Sequence, residues 1–141
     1  MDIKKENGKI LEELLKQIGP ENTSISTESE WSLNIYYLEL NEDSTTIEMC
    51  LKRNYQGDTL VDPFMKIELI KDESGKIVSA NPLHYMSRTM FYEEEIYSKD
   101  NPDCWNPKLY EKAEELDTRL NKWLINLKVQ GYLTKGNITK I

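Results

Sequence analysis

The chain has 141 residues, a formal net charge of −7 and a hydrophobic content of 38%. This length predicts a single domain, 1–141, and the acidic balance disfavours direct nucleic-acid binding, which uses clustered lysine and arginine. Two cysteines without metal-ligand spacing, no apolar leader and no apolar run of roughly 20 residues predict a cytoplasmic protein that does not enter a membrane.

The N-terminal segment 2–18 has the pattern of an amphipathic helix. Gly8 lowers helix propensity, so the pattern is weakest in the first two turns. Gly19 and Pro20 are stop signals, and the segment 20–30 is then expected to be a polar connector. The apolar positions recur at spacings of three and four: Ile3, Ile10, Leu11, Leu14, Leu15 and Ile18.

The segment 31–97 predicts an antiparallel sheet of four to five strands in a meander. Alternating apolar residues indicate strands over 31–40 and 45–55. A third strand is expected to begin at Pro63, because proline has no N–H to donate inside a sheet. Further strands are expected over 76–80 and 83–97, interrupted by Asn81 and Pro82. The inward-facing positions of the first three strands are Leu33, Ile35, Tyr37, Ile47, Met49, Leu51, Met65, Ile67 and Leu69.

A long C-terminal helix is predicted over 107–130. Asn106 is a favourable N-cap, Pro107 suits the first helical position and Gly131 stands where a C-cap belongs. The tail 132–141 is expected to fray, with Tyr132 and Leu133 docked. Both helices would cover the apolar face of the sheet, so the fold class expected is a two-layer α+β domain.

A short motif precedes and opens the third strand. It consists of Gly57, Asp58, Asp62, Pro63 and Met65. The motif resembles the G-D-x-x-x-D-P-x-M core of an uncharacterised family of small proteins carried by conjugative elements, plasmids and phages. The segment Trp105-Asn106-Pro107 fits the same resemblance. That family has no settled activity, so the resemblance implies an origin in a mobile element and does not imply a chemistry.

Carboxylates in and near the motif allow a second interpretation. Asp58, Asp62 and Glu68 are the ligand type that magnesium and manganese prefer, as in a metal-dependent phosphodiesterase. A common nuclease pattern places a lysine two positions after the acid, whereas Lys71 comes three after Glu68, which puts it on the other face of a strand. The alternative is that Asp58 and Asp62 bond backbone N–H groups in a turn. The sequence favours the turn, and no metal, cofactor or catalytic residue is assigned. His84 is the only histidine, and no local sequence signature indicates a cysteine–histidine pair.

Tyrosine is frequent, with eight residues against two phenylalanines. Tyrosine is enriched at interfaces because it combines an apolar ring with a polar tip. A run of three glutamates could imitate the charge of phosphates beside these rings. Each feature has a competing interpretation. The tyrosines could line the edge of a thin core, and the glutamates could belong to an acidic edge strand that discourages aggregation. The candidate partner-binding residues are Tyr36, Tyr55, Tyr92, Glu93, Glu94, Glu95 and Tyr97.

These observations predict a non-enzymatic, acidic protein-interaction module of mobile-element or phage origin with an unidentified protein partner. In a more specific form, it would inhibit a nucleic-acid-binding host-defence protein. One alternative is the metal-dependent phosphodiesterase. The other is a structural accessory protein that associates with its own copy as a homodimer.

Overall fold

The computed structural model describes residues 2–87, 92–95, 110–133 and 136–141. These residues form an α+β structure with an antiparallel sheet, which confirms the predicted class. The described sheet has seven strands where four to five were expected. The elements are α1 Ile3–Ile18, β1 Thr23–Ser26, β2 Ser32–Leu40, β3 Ser44–Tyr55, β4 Asp58–Lys71, β5 Ile77–Ser87, β6 Tyr92–Glu95, α2 Tyr110–Val129 and β7 Asn137–Lys140.

The strand order is β6-β5-β4-β3-β2-β1-β7, and every pairing is antiparallel. The stretch from β2 to β6 is therefore the predicted meander. Two predictions are wrong. The expected polar connector 20–30 contains β1, the expected frayed tail 132–141 contains β7, and these two strands pair with each other at one edge of the sheet. Each of them has four polar-rich residues, too few for an alternation that can be recognised in sequence.

Prolines lie inside two strands, where sequence reasoning placed a strand start and an interruption. Pro63 is within β4, where Cys50 pairs with Phe64 and Lys52 with Val61, so that two residues of β4 face one residue of β3. Pro82 is within β5 beside a second register shift. A β-bulge leaves a residue out of the ladder, so the missing N–H of proline costs little there.

The helix α1 begins at the predicted place. The Asp2 side chain caps it by accepting hydrogen bonds from the backbone N–H groups of Lys4 and Lys5 at 3.1 and 3.3 Å. Gly8 does not interrupt the helix, because it is the point where α1 contacts β5. A Cβ on Gly8 would lie 2.8 Å from the backbone nitrogen of Ser79.

The helix α2 ends as predicted at Gly131, whose φ is 92°. The Tyr132 N–H donates to the Leu127 carbonyl at 3.0 Å and the Gly131 N–H to that of Lys128 at 3.1 Å. These two bonds form a Schellman cap. Tyr132 and Leu133 are buried after it, as expected. The predicted start at Asn106 and Pro107 lies outside the described residues.

The core is one hydrophobic cluster that contains side chains of both helices and of the strands. The predicted inward-facing positions are confirmed, since Leu33, Ile35, Ile47, Met49, Met65, Ile67 and Leu69 are all fully buried and Tyr37 and Leu51 pack against the cluster. From α2, Leu116, Leu120, Leu124 and Leu127 are fully buried as well. Neither described helix is long and apolar enough to cross a membrane.

Polar side chains join α1 to α2 beside this core. Asp117, only 3% exposed, accepts a hydrogen bond from Lys4 Nζ at 2.9 Å. The Asn7 side chain donates to the Asp117 carbonyl at 3.1 Å and accepts from Asn121 at 2.9 Å. Burial raises the pKa of Asp117, while the ammonium of Lys4 acts in the opposite direction.

Candidate interaction surface

The motif Gly57 to Met65 forms a hairpin and the bulged first half of β4. Tyr55 pairs with Asp58 across a two-residue turn. Both central residues have positive φ, 50° at Gln56 and 85° at Gly57. This geometry is typical of a type I′ turn, which matches the twist of the flanking strands and favours glycine. Gly57 therefore serves the backbone of the hairpin.

The three candidate metal-binding carboxylates lie along one strand. At about 3.3 Å per residue, Asp58 is about 13 Å from Asp62 and about 33 Å from Glu68 along β4. Glu68 accepts a hydrogen bond from the Asn81 side chain at 3.4 Å. No group of three His, Cys, Asp or Glu side chains in the described part of the chain could hold a metal. These three carboxylates therefore do not converge.

The sheet has a second face, opposite the hydrophobic core. Because Met49 and Met65 pair on the core side, the next pair, Cys50 and Phe64, lies on this second face. Phe64 pairs in turn with Met86 of β5. The second face is defined by Asn34, Tyr36, Glu48, Cys50, Lys52, Phe64, Lys66, Glu68, His84 and Met86.

Aromatic side chains on the second face contact polar or aromatic neighbours and stay half-buried. Lys52 Nζ donates to the Tyr36 hydroxyl at 2.5 Å and lies 4.8 Å from the centre of the Tyr36 ring. The hydrogen bond with Tyr36 raises the pKa of Lys52, so its ammonium stays charged. Phe64 and His84 meet edge to face, with ring centres 5.5 Å apart. These contacts orient the Tyr36, Phe64 and His84 rings on the second face.

Cys50 forms part of the floor of the second face and is 3% exposed. Burial is the main cause that raises the pKa of its thiol, and the nearby Lys52 only partly offsets it. A protonated, covered thiol is a weak nucleophile. Asn34 beside it is also buried, and its amide donates to the Ser32 carbonyl and hydroxyl at 3.1 and 3.0 Å. This floor therefore has a packing role and does not resemble a cysteine catalytic site.

The predicted partner-binding residues are distributed over the sheet and do not form one cluster. Tyr36 lies on the second face. In the backbone register Glu95 pairs with His84, Glu94 with Tyr85, Glu93 with Met86 and Tyr92 with Ser87. Four strand spacings separate β2 from β6, which is about 19 Å. Tyr55 lies at the far end of β3, and Tyr97 is outside the described residues.

Sequence reasoning did not single out Lys52, Phe64, Lys66 or His84 as members of one surface. A signal was present, since Phe64 and Lys66 occupy the outward-facing positions of the third predicted strand. The sequence does not show how the strands are paired, and it is the pairing that places Tyr36, Glu48, Lys66 and His84 in one row across four strands.

Comparison with known proteins gives one result for this chain. The model of a family described as a domain of unknown function (DUF6908) matches residues 9–133. No curated protein and no solved structure matches the chain.

Proposed function

This chain belongs to the DUF6908 family, a domain of unknown function, and we propose that it is a non-enzymatic module that binds a protein partner through the second face of its sheet. The observation that supports this most is the group of half-exposed rings, Tyr36, Phe64 and His84, on the face opposite the core. Aromatic side chains are enriched at protein interfaces because they bury a large apolar area, and the Tyr36 and His84 rings can also form hydrogen bonds.

The rigidity of this face supports the same proposal. The rings stand on three adjacent or near-adjacent strands, and the contacts of Tyr36 with Lys52 and of Phe64 with His84 hold them in place. A preorganised surface loses less side-chain entropy when it binds. The proposal includes the two-layer packing, in which both helices cover the opposite face and leave the second face to a partner.

The net negative charge of the chain supports a partner with a basic surface. A net charge of −7 favours association with a basic protein through long-range attraction. A nucleic-acid-binding defence protein of a host cell is such a partner, and the resemblance to mobile-element proteins supplies the biological setting. In this proposal the chain inhibits that protein by occupying its basic surface.

Affinity capture with the full chain as bait tests the proposal. The bait would be offered to an extract of the source cells as the wild type, as Tyr36→Ala/His84→Ala, and as Ile125→Ser/Val129→Ser. The last variant is the control, because Ile125 and Val129 are 46% and 81% exposed on α2. We expect a protein enriched by the wild type and by the control to be lost with the Tyr36/His84 variant.

The proposal is wrong if the second-face variant captures the same proteins as the wild type, or if no protein is enriched by any bait. Circular dichroism melts of all three baits show whether each is folded. Light scattering of the wild type shows whether the captured partner is a second copy of the chain.

A further inference from the structure

The last three residues of β2, just before its turn to β3, include two exposed leucines. Leu38 is 42% exposed and Leu40 is 60% exposed. Leu38 lies at a register shift between Tyr37 and Glu39, where β2 departs from regular pairing with β3. These leucines, with the turn 41–43, are called the leucine tip here.

The leucine tip is held in one conformation by the neighbouring end of β4. The Asn41 N–H donates to the Ser44 carbonyl at 2.9 Å, which closes the turn. The Lys71 N–H donates to the Asp43 carbonyl at 2.9 Å, and Lys71 Nζ donates to the Asn41 carbonyl at 2.5 Å. The exposed leucines are therefore displayed by a bonded hairpin end.

Exposed carboxylates lie next to the leucines in sequence and in the adjacent turn, which is joined to this one by the bond from the Lys71 N–H to the Asp43 carbonyl. Two come from the tip, one lies between its two leucines and two come from the adjacent turn after β4. They are Glu42, Asp43, Glu39, Asp72 and Glu73, and all are exposed. None forms an ion pair within the described part of the chain. Lys71 and Lys76 are the cations of these two turns, so five negative charges against two positive ones leave −3. Hydrogen bonds from Ser74 and Lys76 lower the pKa of Asp72.

We propose that the leucine tip docks a cationic amphipathic segment of a protein partner. Leu38 and Leu40 contact the apolar side of that segment, and the neighbouring carboxylates contact its lysine or arginine side chains. The exposed leucines define the surface, and the charge selects the occupant, because an acidic or neutral apolar segment would gain no electrostatic attraction here. This contact is distinct from the second face and does not depend on it.

A binding titration with synthetic peptides tests the tip directly. The probe is a fluorescein-labelled peptide of leucine and lysine arranged as an amphipathic helix, titrated with the full chain and followed by anisotropy. A peptide of the same charge, with serine in place of leucine, reports charge alone. We expect the leucine peptide to bind more tightly than the serine peptide and its affinity to fall with added salt.

Variants then locate the binding. Leu38→Ser/Leu40→Ser should weaken binding of the leucine peptide about tenfold, while Ile125→Ser/Val129→Ser, which removes exposed apolar side chains elsewhere, should leave it within about twofold. Glu39→Gln/Glu42→Gln should weaken binding and flatten its salt dependence. All the replaced side chains are exposed, so melting temperatures should stay near that of the wild type.

The proposal is overturned if the leucine peptide does not bind, or if the tip variant binds it as tightly as the α2 control does. Equal affinity for the leucine and serine peptides would also overturn it, since that result means general attraction to an acidic protein. Because Tyr36 and His84 are unchanged in these proteins, the outcome is separate from that of the capture experiment.

Discussion

Tyr37 links the sheet to the end of α1 through a single side chain. Its hydroxyl donates to the Gly19 carbonyl at 2.8 Å, and burial raises its pKa to about 12. The Gly19 carbonyl belongs to the cap of α1, where carbonyl groups lack helical partners. One hydroxyl therefore satisfies a helix end and fixes its position over β2.

We expect Tyr37→Phe to reduce the free energy of unfolding by about 1 kcal/mol at neutral pH, because the Gly19 carbonyl loses its donor. Since the folded state holds the Tyr37 proton more tightly than the unfolded state, the contribution of this hydroxyl falls as pH rises above about 10. Urea unfolding of both proteins from about pH 8 to about pH 11 measures the difference. A gap between wild type and variant that stays constant over this range would contradict the prediction.

Two interacting elements, α1 and β5, depend on a glycine. The Glu12 carboxylate accepts a hydrogen bond from the Ile77 N–H at 3.0 Å, and Gly8 lies one turn earlier against Val78 and Ser79. Glycine is unfavourable inside a helix by about 1 kcal/mol relative to alanine. Here that cost is offset by the close approach of helix and strand, which no other residue permits.

Gly8→Ala is predicted to destabilise the protein by about 1–3 kcal/mol, although alanine is the better helix former. The added Cβ would lie 2.8 Å from Ser79 N and 2.9 Å from Ser79 Cα, and these backbone atoms cannot move independently of β5. Urea unfolding measures the change. Lys9→Ala, at an exposed neighbour, is the control and should be nearly neutral. A Gly8→Ala protein as stable as the wild type would show that α1 does not pack this closely on β5.

Lys4 and Asp117 form an ion pair between the two helices, across 113 positions of sequence. The Asp117 side chain is 4% exposed and that of Lys4 is 34% exposed. A buried carboxylate that loses its cation keeps its desolvation cost without compensation. This pair therefore stabilises the contact between α1 and α2 only while both partners are present.

Lys4→Met should destabilise the protein by about 2 kcal/mol at neutral pH, less than for a fully buried pair because Lys4 is partly hydrated. Burial already raises the pKa of Asp117. A raised carboxyl pKa means that the folded state favours the proton, so stability falls as pH rises through that pKa, and the Lys4→Met defect should shrink on acidification.

The double variant Lys4→Met/Asp117→Asn completes this cycle. Asparagine carries no charge and leaves the backbone carbonyl that Asn7 contacts in place, so most of the lost stability should return. Urea unfolding of the wild type, both single variants and the double variant gives the coupling energy. If the double variant is no more stable than Lys4→Met, the uncompensated charge is not the cause of the defect.

Local patterns in the sequence were sufficient to predict several elements of the fold. The apolar stripe of α1, the alternation in β2, β3 and β4, and the cap at Gly131 were all readable, because each depends on residues within a few positions of one another. The single-face burial of the strands follows from the same alternation. These signals also supplied the outward position of Phe64 and Lys66.

Features that depend on contacts between distant segments became visible only in the folded chain. The strands β1 and β7 have four residues each, and they pair with each other although more than 100 positions separate them in sequence. The Lys140 side chain of β7 also donates to the Ile18 carbonyl at the end of α1. The close approach at Gly8, the bulge at Pro63 and the row that joins Tyr36 to His84 have the same origin. All three features depend on which distant segments pack or pair with each other, and the residues within a few positions of each site do not reveal that pairing.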